Sequence, residues 1–247
     1  MFDGLIFDVD GTLWDSTPIV CKAWTEAFKS LGFEGMDVTA ERLRGLFGLP
    51  MDEIIKDFLP DSTAEEREKY GPVCYRYEHE YLERDAGICY PKLNETLREL
   101  SKEHKIFIVS NCQGGYVELF LEKTGLGDIV EGHLCPADTG LLKADNIRKI
   151  VEDYGLKAPV YIGDTVMDEQ ACQKAGVPFI YATYGFGKAQ NPDYTINTPG
   201  DLLKLCQSTQ ASQEKIPWYK DGRKSIQIIV AAVALYWIIQ GIIGLLE

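Results

Sequence analysis

Basic side chains are scarce in this sequence: 25 Lys and Arg stand against 38 Asp and Glu, for a formal charge of −13. A chain with no surplus of cations cannot neutralise a run of phosphates, so no nucleic-acid partner is expected. Histidine is limited to 3 residues, and the 7 cysteines include no Cys-x-x-Cys pair. That odd, scattered set argues against a disulfide framework and a zinc site, and for a reducing compartment. The amino terminus enters an apolar run at once with no charged segment before it, so no export signal is expected there. Internal repeats are also missing. What is plentiful is apolar surface: 45% hydrophobic residues, with 13 Tyr and 10 Phe in 247 positions. This excludes a disordered chain and suffices for one domain with an insertion, or for two small domains.

Three apolar runs end abruptly in polar residues or glycine. Leu5-Ile6-Phe7 leads into Asp8-Val9-Asp10-Gly11-Thr12, Ile106 to Val109 into Ser110-Asn111, and Val160 to Ile162 into Gly163-Asp164-Thr165. Continuous apolar runs of this length read as parallel strands buried on both faces. Helical patterns follow over Leu93 to Leu100, Tyr116 to Lys123, Ala144 to Tyr154 and Glu169 to Ala175, with Gly125, Gly155 and Gly176 at C-cap positions. Val177 to Tyr181 supplies another strand. The alternation predicts an α/β fold, a doubly wound parallel sheet whose polar strand ends share one crevice.

Residues 15–86 break that alternation. Thr17-Pro18 reads as an N-cap with Pro at the first helical position, and Thr63 with Glu66 as a capping box. The stretch is expected to be an all-helical cap inserted into a core of residues 1–14 and 87–206. A polar linker, 207–224, is expected next, and then a transmembrane helix, 225–246. From Ile226 the tail reads IQIIVAAVALYWIIQGIIGLL. As a helix it would span roughly 31 Å, against about 30 Å of bilayer hydrocarbon. Lys215, Lys220, Arg223 and Lys224 precede it, which predicts a single-pass anchor in the cell membrane with the larger portion cytoplasmic. A buried or oligomerisation helix is the alternative.

Asp8 and Asp10 lie one residue apart at a strand end, and Asp164 and Asp168 are expected at the same crevice. Carboxylates held close raise one another's pKa unless a cation intervenes. With no Cys or His among them, the set suits a hard cation with oxygen ligands, Mg2+ by default. Singly, each signal has a plain structural reading: a strand-to-turn cap for Asp8-x-Asp10, a surface lysine for Lys143, a helix start for Asp164 and Asp168.

Jointly, Asp8-Val9-Asp10-Gly11-Thr12, Ser110-Asn111, Lys143 and Gly163-Asp164-Thr165-Val166-Met167-Asp168 resemble the four ordered motifs of the haloacid dehalogenase-like superfamily. The helical insertion is similar to the inserted cap of its phosphoglycolate-phosphatase-like subgroup. The resemblance implies a Mg2+-dependent phosphatase acting on small phosphorylated metabolites through an aspartyl-phosphate. Asp8 would be the nucleophile, and Asp10 the acid and then the base. Ser110 and the Asn111 backbone would donate to phosphate oxygens, with Thr12 beside them, and Lys143 would supply positive charge. Asp8, Asp10 (through its carbonyl) and Asp164 would hold the metal, with Asp168 alongside. Arg42 and Arg44, with the turn Gly45 to Pro50, resemble the family's cap loop, where the arginines, Arg44 foremost, would meet a second acidic group on the substrate; ordinary exposed helix residues are the alternative. A phosphomutase of the same fold, or a membrane-bound module that only binds, are the alternative readings.

Overall fold

The structure, a computed structural model, describes residues 2–214. The chain begins with strand β1 (Gly4–Phe7) and the two-residue β2 (Trp14–Asp15), then enters helices α1 (Thr17–Ser30), α2 (Ala40–Leu46), α3 (Met51–Phe58) and α4 (Ala64–Arg84). It returns through β3 (Ile88–Cys89) to α5 (Leu93–Leu100), β4 (Lys105–Val109), α6 (Tyr116–Thr124) and β5 (Val130–Leu134). A single turn α7 (Pro136–Thr139) precedes α8 (Lys143–Asp153), β6 (Pro159–Gly163), α9 (Val166–Ala175), β7 (Phe179–Ala182), β8 (Tyr194–Ile196) and α10 (Asp201–Glu214).

Six strands form one parallel sheet in the order β5-β4-β1-β6-β7-β8. Residues Leu5 to Phe7, Ile106 to Val109 and Val160 to Ile162 are all buried, as their unbroken apolar character requires of a sheet covered on both faces. One face packs Ile6, Phe107, Tyr161 and Phe179 against Ile147 and Ile150 of α8 and Cys172 of α9. Each such fully buried aliphatic or aromatic side chain contributes about 1.5–3 kcal/mol. The edge strands β5 and β8 escape the sequence reading because an edge needs only one covered side. Val130 to Leu134 reads VEGHL, with no fully buried member.

The insertion is helical, as expected. Its helices α1 to α4 lie between β2 and β3, which pair antiparallel (Trp14 with Cys89, Asp15 with Ile88), so one short ladder closes both crossings. Trp24, Phe28 and Phe58 stack in the cap interior with ring centroids 5.3 to 6.2 Å apart. The Thr63–Glu66 capping box is present. Two expectations are corrected. The cap of α1 is Ser16 rather than Thr17, and its hydroxyl is committed to Asp10 instead of the helix. Residues 207–214, read as linker, continue α10 to Glu214, because a polar stretch extends a helix that an upstream segment has already nucleated. Among the described residues no helix is long and apolar enough to cross a membrane, and the apolar tail 225–246 lies outside them.

Candidate active site

Strand order reverses at β1: the chain proceeds to β4 and β5 on one side and to β6, β7 and β8 on the other. Ligands of open α/β sheets bind outside the carboxyl ends of strands at such a point. Phe7 is level with Ile108 and Ile162, so Asp8, Ser110 and Asp164 emerge from three adjacent strands at nearly one height. Gly11 turns the β1 loop with φ +81°, and a Cβ there would collide with the Asp164 carboxylate. Thr165 caps α9 in a capping box with Asp168, which fixes the Asp168 carboxylate at the helix start.

The Lys143 ammonium, at the first residue of α8, donates to Asp8 Oδ1 (3.0 Å) and Asp168 Oδ1 (2.7 Å). Asp168 Oδ2 accepts from the Thr165 N–H (3.0 Å) and hydroxyl (2.7 Å). Asp164 Oδ2 accepts from the Phe186 N–H at 2.7 Å, and its Oδ1 accepts from the Thr12 hydroxyl at 3.2 Å. One oxygen from each of Asp8, Asp164 and Asp168 lies within 4.8 Å of the others. Burial pushes the Asp8 carboxyl above its ordinary range, against the pull of the Lys143 ammonium. Asp164 is driven up strongly by burial, then by the neighbouring Asp168 and Asp8 charges. Burial works against the charge of Lys143, but Asp168 and Asp8 outweigh it and hold the proton. Three buried carboxylates facing one ammonium leave an uncompensated negative charge. Hard oxygen donors with that deficit fit a divalent cation such as Mg2+.

The Asp10 carboxylate is not part of this trio, so its expected place among the metal residues is not through the side chain. It turns toward the cap junction, where Oδ1 accepts from the Ser16 hydroxyl (2.6 Å) and the Tyr116 hydroxyl (2.7 Å). Burial raises its pKa to about 8, opposed by those two hydrogen bonds. Trp14 Nε1 donates to Tyr116 in turn, at 3.2 Å. Sequence reasoning missed Ser16 and Tyr116, whose spacing resembles an ordinary cap and a core aromatic.

The cap covers the crevice with Phe47, Gly48 and Leu49 from the turn after α2, enclosing a cavity of about 50 Å³ that Asp8, Asp10, Ser110 and Lys143 also line. Asn111 Nδ2 reaches across to the Gly48 carbonyl at 3.2 Å, so its side chain ties core to cap. Two expected substrate contacts are placed elsewhere. Arg44 does not line the cavity: its guanidinium pairs with Asp15 Oδ2 at 2.6 Å, an opposite charge that satisfies it there. Thr12 does not line it either and instead holds Asp164.

The haloacid dehalogenase-like hydrolase profile matches residues 5–182. The chain belongs to this family. A phosphoglycolate phosphatase of Aquifex aeolicus is 30% identical over 81% of this chain and 95% of its own length. One from Vibrio parahaemolyticus is 27% identical over 81% and 94%. A solved haloacid dehalogenase-like hydrolase from Streptococcus pneumoniae superposes with a TM-score of 0.73 at 24% identity, covering 83% of this chain and 99% of that one. As a haloacid dehalogenase-like hydrolase the chain has the α/β core of that structure, and its curated relatives are phosphatases.

Proposed function

We propose that this hydrolase is a Mg2+-dependent phosphatase that cleaves small phosphate monoesters through an aspartyl-phosphate on Asp8. The observation that carries the reading is the buried cluster of Asp8, Asp164, Asp168 and Lys143 at the sheet's switch point, with Asp10 beside it in the same cavity. An Asp8 oxygen attacks phosphorus as the bond to the leaving alkoxide breaks. Asp10, whose pKa of about 8 keeps it protonated near neutrality, gives the alkoxide its proton. Ionised by that transfer, Asp10 takes a proton from water, which attacks phosphorus, frees inorganic phosphate and restores Asp8. Ser110, with its hydroxyl at the Asp8 carboxylate, donates to a phosphate oxygen. Lys143 brings positive charge to where negative charge develops on oxygen during transfer, and Asp168 keeps it there. Asp8 and Asp164, with Asp168 alongside, would hold Mg2+, which offsets repulsion between a carboxylate nucleophile and a phosphate dianion.

A carbonyl-imine route to phosphonate cleavage has no support, because Lys143 is the lining lysine of the cavity and is committed to two carboxylates. A phosphomutase shares both aspartates and differs in what accepts the phosphoryl group. The relatives' phosphatase activity favours water. We also propose that residues 225–246 anchor the enzyme in the cell membrane with its catalytic portion cytoplasmic, on the strength of the tail's largely apolar sequence, in which Gln227 and Gln240 are the strongly polar members from Ile226 on, and the basic residues before it.

The test is hydrolysis of p-nitrophenyl phosphate with Mg2+, with EDTA, and by Asp8→Asn. Turnover that EDTA abolishes and Mg2+ restores is expected, together with a loss of about a thousandfold or more in Asp8→Asn. Undiminished turnover by Asp8→Asn would remove the nucleophile assignment.

A further inference from the structure

One acid in the cavity has no part in this chemistry. Glu78, on α4 of the cap, is 5% exposed and lines the same cavity as Asp8, Asp10 and Ser110. Its Oε2 accepts from Trp24 Nε1 at 2.8 Å and its Oε1 from Gln113 Nε2 at 2.9 Å. Each oxygen therefore has one partner, and each keeps a second acceptor position. A carboxylate buried at this depth in a purely structural role is normally matched by a cation. Here both partners are neutral. The rest of the cap's contribution to the lining is apolar or aromatic, including Phe47, Leu49, Met51 and Tyr75.

The cap's arginines do not redress the balance. Arg44 is held by Asp15 and Arg42 by Asp57, both outside the lining. Lys143 is the one cationic lining residue, and it lies among Asp8 and Asp168. A phosphate ester whose alcohol portion carries a carboxylate would place that group toward Glu78 with nothing to neutralise it. Like charges brought together out of water oppose binding strongly. A group with N–H or O–H donors would instead complete the open acceptor positions, and acceptor sites left without partners penalise an analogue that lacks the donor.

Resting on the phosphatase reading, we propose that Glu78 sets leaving-group specificity: the enzyme takes small phosphate monoesters whose alcohol bears a hydrogen-bond donor, an ammonium or a further hydroxyl, and discriminates against carboxylate-bearing esters such as phosphoglycolate. The preference would therefore differ from the substrate in the names of the curated relatives, at a position those names do not report on.

The experiment compares kcat/KM at pH 8 with Mg2+ for four esters: p-nitrophenyl phosphate, phosphoglycolate, 2-aminoethyl phosphate and glycerol 3-phosphate. The wild type should favour the better of the two donor-bearing esters over phosphoglycolate by at least about tenfold. Which of the two is preferred distinguishes an ammonium from a hydroxyl as the group received. In Glu78→Gln, which keeps an acceptor and the side-chain shape but not the charge, that ratio should collapse to within about threefold, chiefly through a lower KM for phosphoglycolate. A purely structural role would move all four esters in parallel and leave the ratio intact, which would overturn the assignment. Phosphoglycolate turned over by the wild type as well as the donor esters would overturn it without any variant. Failure to hydrolyse any ester, p-nitrophenyl phosphate included, would remove the phosphatase reading underneath as well.

Discussion

Glu78 also makes a prediction about stability that needs no substrate. Burial raises its pKa from 4.5 to about 7, against hydrogen bonds from Gln113 and Trp24 that favour the ionised form. Between those two values the folded protein keeps a proton that the unfolded chain has released. Stability therefore falls as pH rises through this window and levels off above about 7. At about 1.4 kcal/mol per pH unit, the displacement corresponds to a destabilisation of about 3 kcal/mol at pH 8 and less than about 1 kcal/mol at pH 5. Glu78→Gln removes the ionisation while retaining the hydrogen bonds: its carbonyl accepts from Trp24, and its amide donates to Gln113 once that side chain turns over. In urea unfolding with EDTA present, the variant should gain about 2–3 kcal/mol relative to wild type between pH 5 and pH 8. Groups that titrate in both proteins cancel from this difference. A variant whose stability relative to wild type is the same at both pH values would refute the reasoning, because ionising Glu78 would then cost no more in the folded state than in the unfolded chain.

Three further outcomes follow from the same geometry. Lys143→Met strips the one ammonium from Asp8 and Asp168 and should cost about 3–5 kcal/mol by urea unfolding at pH 8 in EDTA. The loss should shrink as pH falls, because burial already favours the neutral form of Asp8 and Asp164 and a protonated carboxyl does not need the ammonium; a pH-independent loss would argue against charge as the cause. Thr165→Ala removes the α9 cap and one hydroxyl from Asp168, for which about 1 kcal/mol of stability is expected by the same method. Its kcat should fall as Lys143 loses its alignment, and an unaltered kcat would show that Asp168 needs no such support. Deleting residues 215–247 should move the protein from the membrane fraction to the soluble fraction with p-nitrophenyl phosphate turnover retained, and a full-length protein recovered without detergent would end the anchor proposal.

Much of the core was legible because its signals are local. Unbroken apolar runs at Leu5 to Phe7, Ile106 to Val109 and Val160 to Ile162 can only be two-sided strands, and helix α5 follows its apolar spacing from Leu93 to Leu100. Motif order likewise pointed to Asp8, Ser110, Lys143 and Asp164 as residues of one crevice, since each follows a strand or starts a helix at the same end of the sheet. The edge strands were not legible, because VEGHL and YTI carry no two-sided apolar pattern. Nor was the fate of Arg44. A cation next to a cap turn reads equally as a substrate contact or an exposed helix residue until Asp15 is brought to it.

The sequence by itself determined the α/β layering, the helical insertion and the set of acids available for chemistry, because hydrophobic period, caps and glycines act over a few neighbouring residues. Tertiary structure alone decided how those acids divide their work. Lys143 bridges Asp8 and Asp168, Asp10 leans on Ser16 and Tyr116, and Glu78 comes to face the cavity from the cap. Charge, desolvation and hydrogen bonding act through space over a few ångströms, and the partners that settle each carboxylate's protonation lie as far as 152 residues away along the chain.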